Sequence, residues 1–213
     1  MRVIFVMKRT LKTFLRLFLL VVLILPLRSD SSPPALDQSH NSPFVQKLVQ
    51  AALDRTKQWV IYNPAYFKIS YPAGDLPAYY GVCTDVVIRS YRALEIDLQK
   101  EVHEDMAKSF SLYPKMWGLK GTDTNIDHRR VPNLMVFFKR KGLELPITKN
   151  PKDYQPGDIV TWKLNNGAFH IGLLVPGDSG SSRPWVVHNI GYGDRREDVL
   201  FEWEILGHYR YQK

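Results

Sequence analysis

The sequence predicts an α+β fold, with helices in the first part of the domain and strands in the rest. Apolar residues recur at helical spacing in several segments between residues 43 and 142. After Pro146 they gather in short runs that Gly, Pro and Asn residues separate, as is typical of strands. Helices followed by a meander of strands indicate helices packed on an antiparallel sheet. The 213 residues suffice for one globular domain with a sizeable core.

Residues 1–28 have the composition of an export signal. Five Lys and Arg residues precede an uninterrupted apolar run from Leu17 to Leu25, which Pro26 closes. This run is too short to cross a bilayer as a helix. We therefore expect an exported, periplasmic protein whose first 28 residues are a signal peptide. Because no small-x-small cleavage site follows Leu27, an uncleaved anchor in the inner membrane is the alternative.

The formal charge of +8 does not indicate a nucleic-acid partner. Six of the 29 Lys and Arg residues lie in the leader, before the first acidic residue, so the rest of the chain is nearly neutral. The only cysteine, Cys83, excludes an internal disulfide. An unpaired cysteine in an exported protein indicates an intermolecular link or a reactive thiol. We expect a monomer that touches the membrane only through the leader, if the leader is retained.

Residues 29–42 form a polar linker rich in Ser and Pro, and the domain is expected to span residues 43–213. Ser42 and Pro43 predict an N-cap and a first-turn proline for an amphipathic helix that runs to about Trp59. Residues 60–80 are broken by Pro and Gly and are predicted to be irregular, with five tyrosines that can wall a cleft.

From Cys83 the apolar period becomes helical again, so this cysteine is predicted to lie at a helix N-terminus. Two further helices are predicted, from about Gln99 to Phe110 and from Pro132 to a stop at Gly142, with a turn-rich loop between them. Strands are predicted at residues 159–162, 170–175, 185–188 and 206–211.

Cys83 and two histidines form the candidate catalytic group. A helix N-terminus is expected to lower the pKa of the Cys83 thiol and so favour the nucleophilic thiolate. His170 begins one predicted strand and His188 ends the next, which places them side by side if the strands pair in antiparallel fashion. Docking the Cys83 helix against that sheet edge would align a nucleophile, a base and an orienting group.

The order of these motifs resembles the NlpC-type cell-wall peptidases, a circularly arranged branch of the papain-like superfamily. The shared features are a helix-start Cys, a Pro-Gly-Asp turn into a strand, a His-Ile-Gly strand and a hairpin partner that ends in Val-His. Gly-Val-Cys-Thr-Asp, Asn-Ile-Asp-His-Arg-Arg and His-Asn-Ile-Gly also resemble signatures of a bacterial exported family described as a domain of unknown function. The likeness to characterised NlpC-type enzymes is confined to the two catalytic regions.

The resemblance implies a papain-like fold and a Cys-His-His triad that works through an acyl-enzyme. Cys83 would be the nucleophile, His170 the general base and His188 the orienting residue. An upstream tyrosine would complete the oxyanion site, with Tyr71 as the best candidate and Tyr79 and Tyr80 as competitors. It implies a cysteine amidase or peptidase that needs no cofactor or metal and cleaves amide bonds in peptidoglycan stem peptides. The usual Asp-Cys-Ser-Gly is replaced here by Val-Cys-Thr-Asp, which leaves the substrate open.

Six residues are candidates for substrate binding: Tyr80, Asp85, Asp127, His128, Arg129 and Arg130. Two adjacent arginines suit a carboxylate, and an aspartate suits an amine. The alternatives are a solvated loop for residues 127–130, and a helix cap or an arginine partner for Asp85.

Three other interpretations remain open at this level. Cys83 can be a buried structural residue, and the domain can be a binding module that grips cell-wall peptides without cleaving them. Cys83, His170 and His188 can instead be the ligands of a zinc hydrolase. The His103-Glu104-Asp105 run lacks the second histidine of a zincin and indicates a helix face.

Overall fold

The computed structural model describes residues 42–213, so the predicted leader and nearly all of the predicted linker lie outside the described residues. Four α-helices precede or flank the main sheet: α1 (Pro43–Arg55), α2 (Cys83–Arg92), α3 (Leu98–Lys108) and α4 (Val131–Lys141). The predicted mixture of helices with an antiparallel sheet is confirmed. Within residues 42–213, no helix has the length and the apolar character that crossing a membrane requires.

The strands form a small parallel pair and one larger antiparallel sheet. The pair consists of β1 (Ile61–Tyr62) and β2 (Tyr80–Gly81). The sheet consists of β3 (Leu143–Glu144), β4 (Ile159–Lys163), β5 (Phe169–Val175), β6 (Trp185–His188), β7 (Arg195–Glu197) and β8 (Glu204–Arg210). Its order is β3-β8-β4-β5-β6-β7, and neighbouring strands run in opposite directions.

Local signals explain where the helices begin and end. The Ser42 hydroxyl accepts a hydrogen bond from the Val45 backbone N–H at 3.2 Å, and Pro43 opens the first turn of α1. This helix ends at Arg55, four residues earlier than predicted, and Trp59 beyond it is 79% exposed. The apolar stripe of α1 therefore stops with the helix and does not reach Trp59.

The sheet has an apolar cluster on each face. Side chains alternate along β5, so Ile171 and Leu173 pack into the larger cluster with the helices, which includes Cys83. Leu174 packs on the other face with Trp162 and Val186. His170 precedes Ile171 and pairs directly with Trp162 across β4 and β5, which places it on the second face.

Two strands of the main sheet were not predicted. β3 and β7 are two and three residues long, and their sequences, Leu-Glu and Arg-Arg-Glu, lack a run of apolar residues. They form the two edges of the sheet and are held by pairing with β8 and β6. Sequence periodicity does not detect such short polar edge strands, yet β7 supplies a residue of the candidate site.

Candidate active site

Cys83 is the first residue of α2, as predicted from the change in apolar period. Val82 precedes the helix in an extended conformation, and its backbone N–H donates to Asp85 Oδ2 at 2.8 Å. Asp85 thus satisfies a backbone donor ahead of the first turn and places negative charge at the helix start. The cap fixes the direction in which α2 leaves the β2 strand, and with it the position of the thiol.

Burial dominates the chemistry of the Cys83 thiol. The side chain is 6% exposed, and this burial raises its pKa to about 12. The backbone N–H of Ile171 and those of the first helical residues oppose the rise but do not cancel it. The expectation that the helix N-terminus lowers the thiol pKa is therefore wrong, because desolvation outweighs the helix dipole. The resting thiol is protonated at neutral pH.

His170 and His188 are brought together as neighbours on β5 and β6. Nε2 of His170 lies 2.8 Å from Nδ1 of His188, and Nε2 of His188 lies 2.8 Å from Oε2 of Glu197 on β7. The three side chains form a continuous hydrogen-bonded relay. Glu197 was not among the predicted site residues, because the strand that carries it has no recognisable pattern.

The relay determines which nitrogen of His170 is free to accept a proton. Burial lowers the pKa of His170 to about 3, with His188 adding to the effect. Burial also lowers the pKa of His188, while Glu197 opposes the shift. Both rings are therefore neutral at pH 7. A carboxylate can only accept, so His188 donates from Nε2 to Glu197 and accepts at Nδ1 from Nε2 of His170. The unprotonated nitrogen of His170 is then Nδ1.

The Cys83 thiol contacts the backbone of Ile171, the residue after His170, but forms no hydrogen bond with His170 itself. Cys83 shares an apolar cluster with Ile171, whereas the His170 ring packs against Trp162 and Trp203, at centroid distances of 5.9 and 5.7 Å. Within residues 42–213, no hydrogen bond joins Cys83 to His170. The sequence predicted all three residues in one row; the structure links only the two histidines directly.

A cleft of about 250 Å³ lies beside Cys83. Its walls include Tyr62, Trp117, Phe169 and Arg130. Tyr62 and Phe169 also line the neighbouring cleft that contains His170. These two aromatic residues therefore line both the cleft that contains Cys83 and the cleft that contains His170.

The tyrosine beside Cys83 is Tyr62 and not Tyr71, which was the predicted oxyanion residue. The ring of Tyr71 packs against His103, at 5.1 Å between centroids, and does not line the Cys83 cleft. Tyr62 lines that cleft, and its pKa is raised by burial and by the nearby Cys83. β1 and β2 pair in parallel, so Tyr62 lies opposite Gly81, two residues before Cys83. No local sequence pattern reveals this contact between distant segments.

The other two tyrosines considered for the oxyanion site lie elsewhere. Tyr79 and Tyr80 pack on each other, with 4.5 Å between ring centroids, and Tyr80 also contacts Phe67. Neither residue lines the Cys83 cleft. Tyr80 belongs to β2, and its ring packs against Phe67 and Tyr79, so the structure does not support its predicted role in substrate binding.

Asp85 and Arg129 bind each other instead of a substrate. Nε and Nη2 of Arg129 donate to Oδ1 and Oδ2 of Asp85 at 3.1 and 3.0 Å. Arg129 also donates to the backbone carbonyls of Ala65 and Asn63. Arg129 lines the Cys83 cleft, but its guanidinium is buried and held by Asp85, so both predicted substrate contacts are corrected. The alternative considered for Asp85, a cap that also holds an arginine, describes the structure.

Asp127 and His128 are buried in the turn Asp127–Arg129 and do not reach a cleft. Oδ2 of Asp127 accepts from the Asp123 backbone N–H at 2.7 Å and lies 3.2 Å from Nδ1 of His103. His128 is 2% exposed, and burial lowers its pKa to about 3. Because both side chains are buried, the structure does not support the predicted substrate-binding role for either residue. Of the four predicted residues in this run, Arg130 alone presents an unengaged guanidinium to the Cys83 cleft.

In the part of the chain that the structure describes, no group of three or more His, Cys, Asp and Glu residues is arranged to hold a metal ion. His103 uses Nδ1 to contact Asp127, and the two site histidines use ring nitrogens to contact each other. The proposed zinc ligand set of Cys83, His170 and His188 gains no support from this geometry.

Comparison with known proteins identifies relatives along almost the whole domain. Residues 49–211 match the family described as Domain of unknown function (DUF1287). The protein of Escherichia coli (strain K12) named Uncharacterized protein YijF is 49% identical over 185 residues, which cover 87% of this chain and 90% of that protein. The solved structure of NlpC1 from Trichomonas vaginalis aligns with 15% identity and a TM-score of 0.42 over 79% of this chain. This chain spans 45% of the length of the Trichomonas chain.

Proposed function

This chain belongs to the DUF1287 family, and we propose that it is a cysteine hydrolase of papain-like, NlpC-type arrangement. The proposed reaction is hydrolysis of amide bonds in peptidoglycan stem peptides, with Cys83 as the nucleophile. The observation that carries the proposal is the His170-His188-Glu197 relay, which leaves Nδ1 of His170 as a base beside the strand position that Cys83 contacts. A buried relay of this kind needs explanation, because two adjacent desolvated imidazoles destabilise the fold.

In the proposed mechanism, substrate binding is accompanied by movement of the His170 ring, which in the free protein packs against Trp162 on the sheet face opposite the Cys83 cluster. This movement brings Nδ1 of His170 within hydrogen-bonding distance of the Cys83 sulfur. Catalytic hydrogen bonds are often long or absent in a free enzyme and tighten in the substrate complex. Nδ1 takes the thiol proton while the sulfur forms a bond to the substrate carbonyl carbon. The protonated imidazole then gives this proton to the leaving amine as the C–N bond breaks. Water hydrolyses the thioester and restores the thiol.

The proposed oxyanion site consists of the Cys83 backbone N–H and the Tyr62 hydroxyl. The first N–H groups of a helix have no partner within the helix, so they are available to stabilise negative charge. Tyr62 supplies the second donor because it lines the Cys83 cleft. With a thiol pKa raised by burial and a His170 pKa lowered by burial, the resting pair is neutral. The proton therefore moves during the attack, and no thiolate is present beforehand.

We place this activity in the periplasm, with residues 1–28 directing export and residues 43–213 forming the catalytic domain. The basic residues and the apolar run of the leader support this location. Cell fractionation with an antibody to the domain tests it. Recovery of the protein in the cytoplasm would contradict the proposed location.

The second candidate function is a peptide-binding module without catalysis. The absence of a Cys83–His170 hydrogen bond within residues 42–213 and the raised thiol pKa favour it. On this alternative, the aromatic cleft beside Cys83 binds cell-wall peptides, and the thiol is a buried apolar residue.

One experiment separates the two candidates. Purified wild type, Cys83→Ala and the closely matched Cys83→Ser are incubated with muropeptides, and the products are identified by mass spectrometry. The hydrolase proposal expects cleavage by wild type and loss of at least about a thousandfold in both variants. Equal cleavage by wild type and Cys83→Ala would exclude Cys83 as the nucleophile. Binding of muropeptides without cleavage by any form would identify the binding module.

A further inference from the structure

Within residues 42–213, no carboxylate forms a direct ion pair with the guanidinium of Arg130. The guanidinium also makes no hydrogen bond to any described residue, and its Nη1 is buried without a partner. Its sequence neighbour Arg129 is saturated by Asp85 and two backbone carbonyls. Two adjacent arginines thus differ completely: one is fixed within the fold, and the other retains its full hydrogen-bonding capacity.

The unpaired guanidinium is held in place by an aromatic ring. The central carbon of the Arg130 guanidinium lies 4.2 Å from the centroid of the Trp117 ring, a cation–π contact. Trp117 has φ +63°, a left-handed conformation that costs free energy for a residue other than glycine. The ring covers one face of the guanidinium, and the buried Nη1 is left without a hydrogen-bond partner from residues 42–213.

Asp123 lies close enough to Arg130 to feel its charge but does not hydrogen-bond to the guanidinium. Asp123 uses its carboxylate oxygens to accept hydrogen bonds from the Tyr66 hydroxyl and from the backbone and side chain of Asn125. Arg130 and Trp117 both line the cleft that contains Cys83. The cleft measures about 250 Å³, and a group bound by Arg130 would therefore lie in the same small cleft as the Cys83 thiol.

We propose that Arg130 and Trp117 form a carboxylate-binding subsite beside Cys83, which makes peptides with a free carboxylate next to the scissile amide the preferred substrates. The planar fork of a guanidinium matches the two oxygens of a carboxylate. The proposal rests on the proposed function for its turnover measurement, but its binding measurement stands without any catalysis. It also changes the predicted substrate-binding set, because it assigns recognition to Arg130 and Trp117 in place of the buried residues next to them.

The test uses two synthetic stem-type peptides that differ only in one group, a carboxylate in the first and a carboxamide in the second, next to the scissile amide. A charge-assisted hydrogen-bonded pair changes affinity by roughly tenfold to a hundredfold. Wild type is therefore expected to favour the acid by about this factor in kcat/KM. Arg130→Gln is expected to abolish the preference by slowing cleavage of the acid, and Arg130→Lys to retain part of it. Arg183→Gln is the matched control, since Arg183 pairs with Asp198 and lines no part of the cleft.

A binding arm separates failure of the subsite from failure of the proposed function. Isothermal titration of Cys83→Ala with both peptides is expected to show tighter binding of the acid, even if wild type cleaves neither peptide. Trp117→Leu serves as a second variant with an exposed side chain and is expected to reduce the preference; it is decisive if Arg130→Gln does not fold. Equal affinity of the acid and the amide, or an unchanged preference in the folded Arg130 and Trp117 variants, would overturn the proposal.

Discussion

Asp85 binds Arg129 through both carboxylate oxygens, and the two side chains are 3% and 2% exposed. The pair joins the first turn of the Cys83 helix to the turn that precedes α4. We predict that Asp85→Ala lowers the free energy of unfolding by about 3–5 kcal/mol, because it leaves the Arg129 charge buried and unpaired. Urea denaturation measures the loss. The control is Asp198→Ala, which removes an exposed partner of Arg183 and should cost less than about 1 kcal/mol. Equal losses in both variants would contradict the prediction.

Glu197→Ala is predicted to lower kcat by roughly tenfold to a hundredfold with little change in KM. Without the carboxylate, His188 is no longer held as the tautomer that accepts from His170. Since Glu197 opposes the lowering of the His188 pKa, its removal also moves the acidic limb of the pH profile to lower pH. Steady-state kinetics between pH 4 and 9 test both effects. Glu202→Ala, an exposed glutamate nearby, should leave both parameters unchanged.

Tyr62→Phe is predicted to lower kcat by about a hundredfold, the usual effect of removing one oxyanion donor. The ring remains, so the aromatic wall of the cleft is retained and only the hydroxyl is lost. Tyr71→Phe is the matched variant and should leave kcat unchanged, because Tyr71 packs on His103 away from the thiol. If instead Tyr71→Phe slows the reaction and Tyr62→Phe does not, the oxyanion assignment is reversed.

Stability is predicted to fall as the pH is lowered from about 6.5 toward 3. His128 and His170 have pKa values of about 3 in the folded protein and 6.5 without the fold, because burial disfavours the charged rings. The unfolded chain therefore binds protons first, which stabilises it relative to the native state. Each histidine contributes about 2 kcal/mol to the loss between pH 7 and pH 5. Urea denaturation at both pH values should show a smaller loss for His128→Gln, and an unchanged loss would contradict this origin.

Alkylation of Cys83 by iodoacetamide at pH 8 is predicted to be slower than alkylation of N-acetylcysteine. A thiol with a pKa of about 12 holds very little thiolate at this pH, and only the thiolate reacts. Mass spectrometry of timed samples gives the rate, with urea-unfolded protein as the accessible reference. Faster alkylation in the folded protein than in the reference would show an activated resting thiol.

The sequence predicted the features of this fold that have local causes. Ser42 and Pro43 predict the start of α1, and the change of apolar period predicts the start of α2 at Cys83. It did not predict Tyr62 and Glu197, because they reach the site through the β1–β2 pair and the β7 edge strand. These pairings depend on chain segments that are distant in sequence, and the strands are too short to have a period.

Local sequence patterns also did not predict the pKa of the thiol or which arginine of the site is paired. The position of Cys83 at a helix start indicates a lowered thiol pKa, but burial raises it instead. Arg129 and Arg130 are the same residue type side by side, yet only the fold decides which one is neutralised. Desolvation and ion pairing both depend on tertiary contacts, so the spacing of residues in the sequence does not reveal them.

The His170-His188-Glu197 relay is buried at one end and exposed to solvent at the other. His170 and His188 are 2% and 1% exposed, whereas the Glu197 side chain is 38% exposed on the edge strand. Protons can therefore be exchanged between bulk water and the buried imidazoles along the hydrogen bonds of the relay. The edge strand β7 thus provides the solvent-exposed end of the proton path, while the two histidines at its other end are shielded from water.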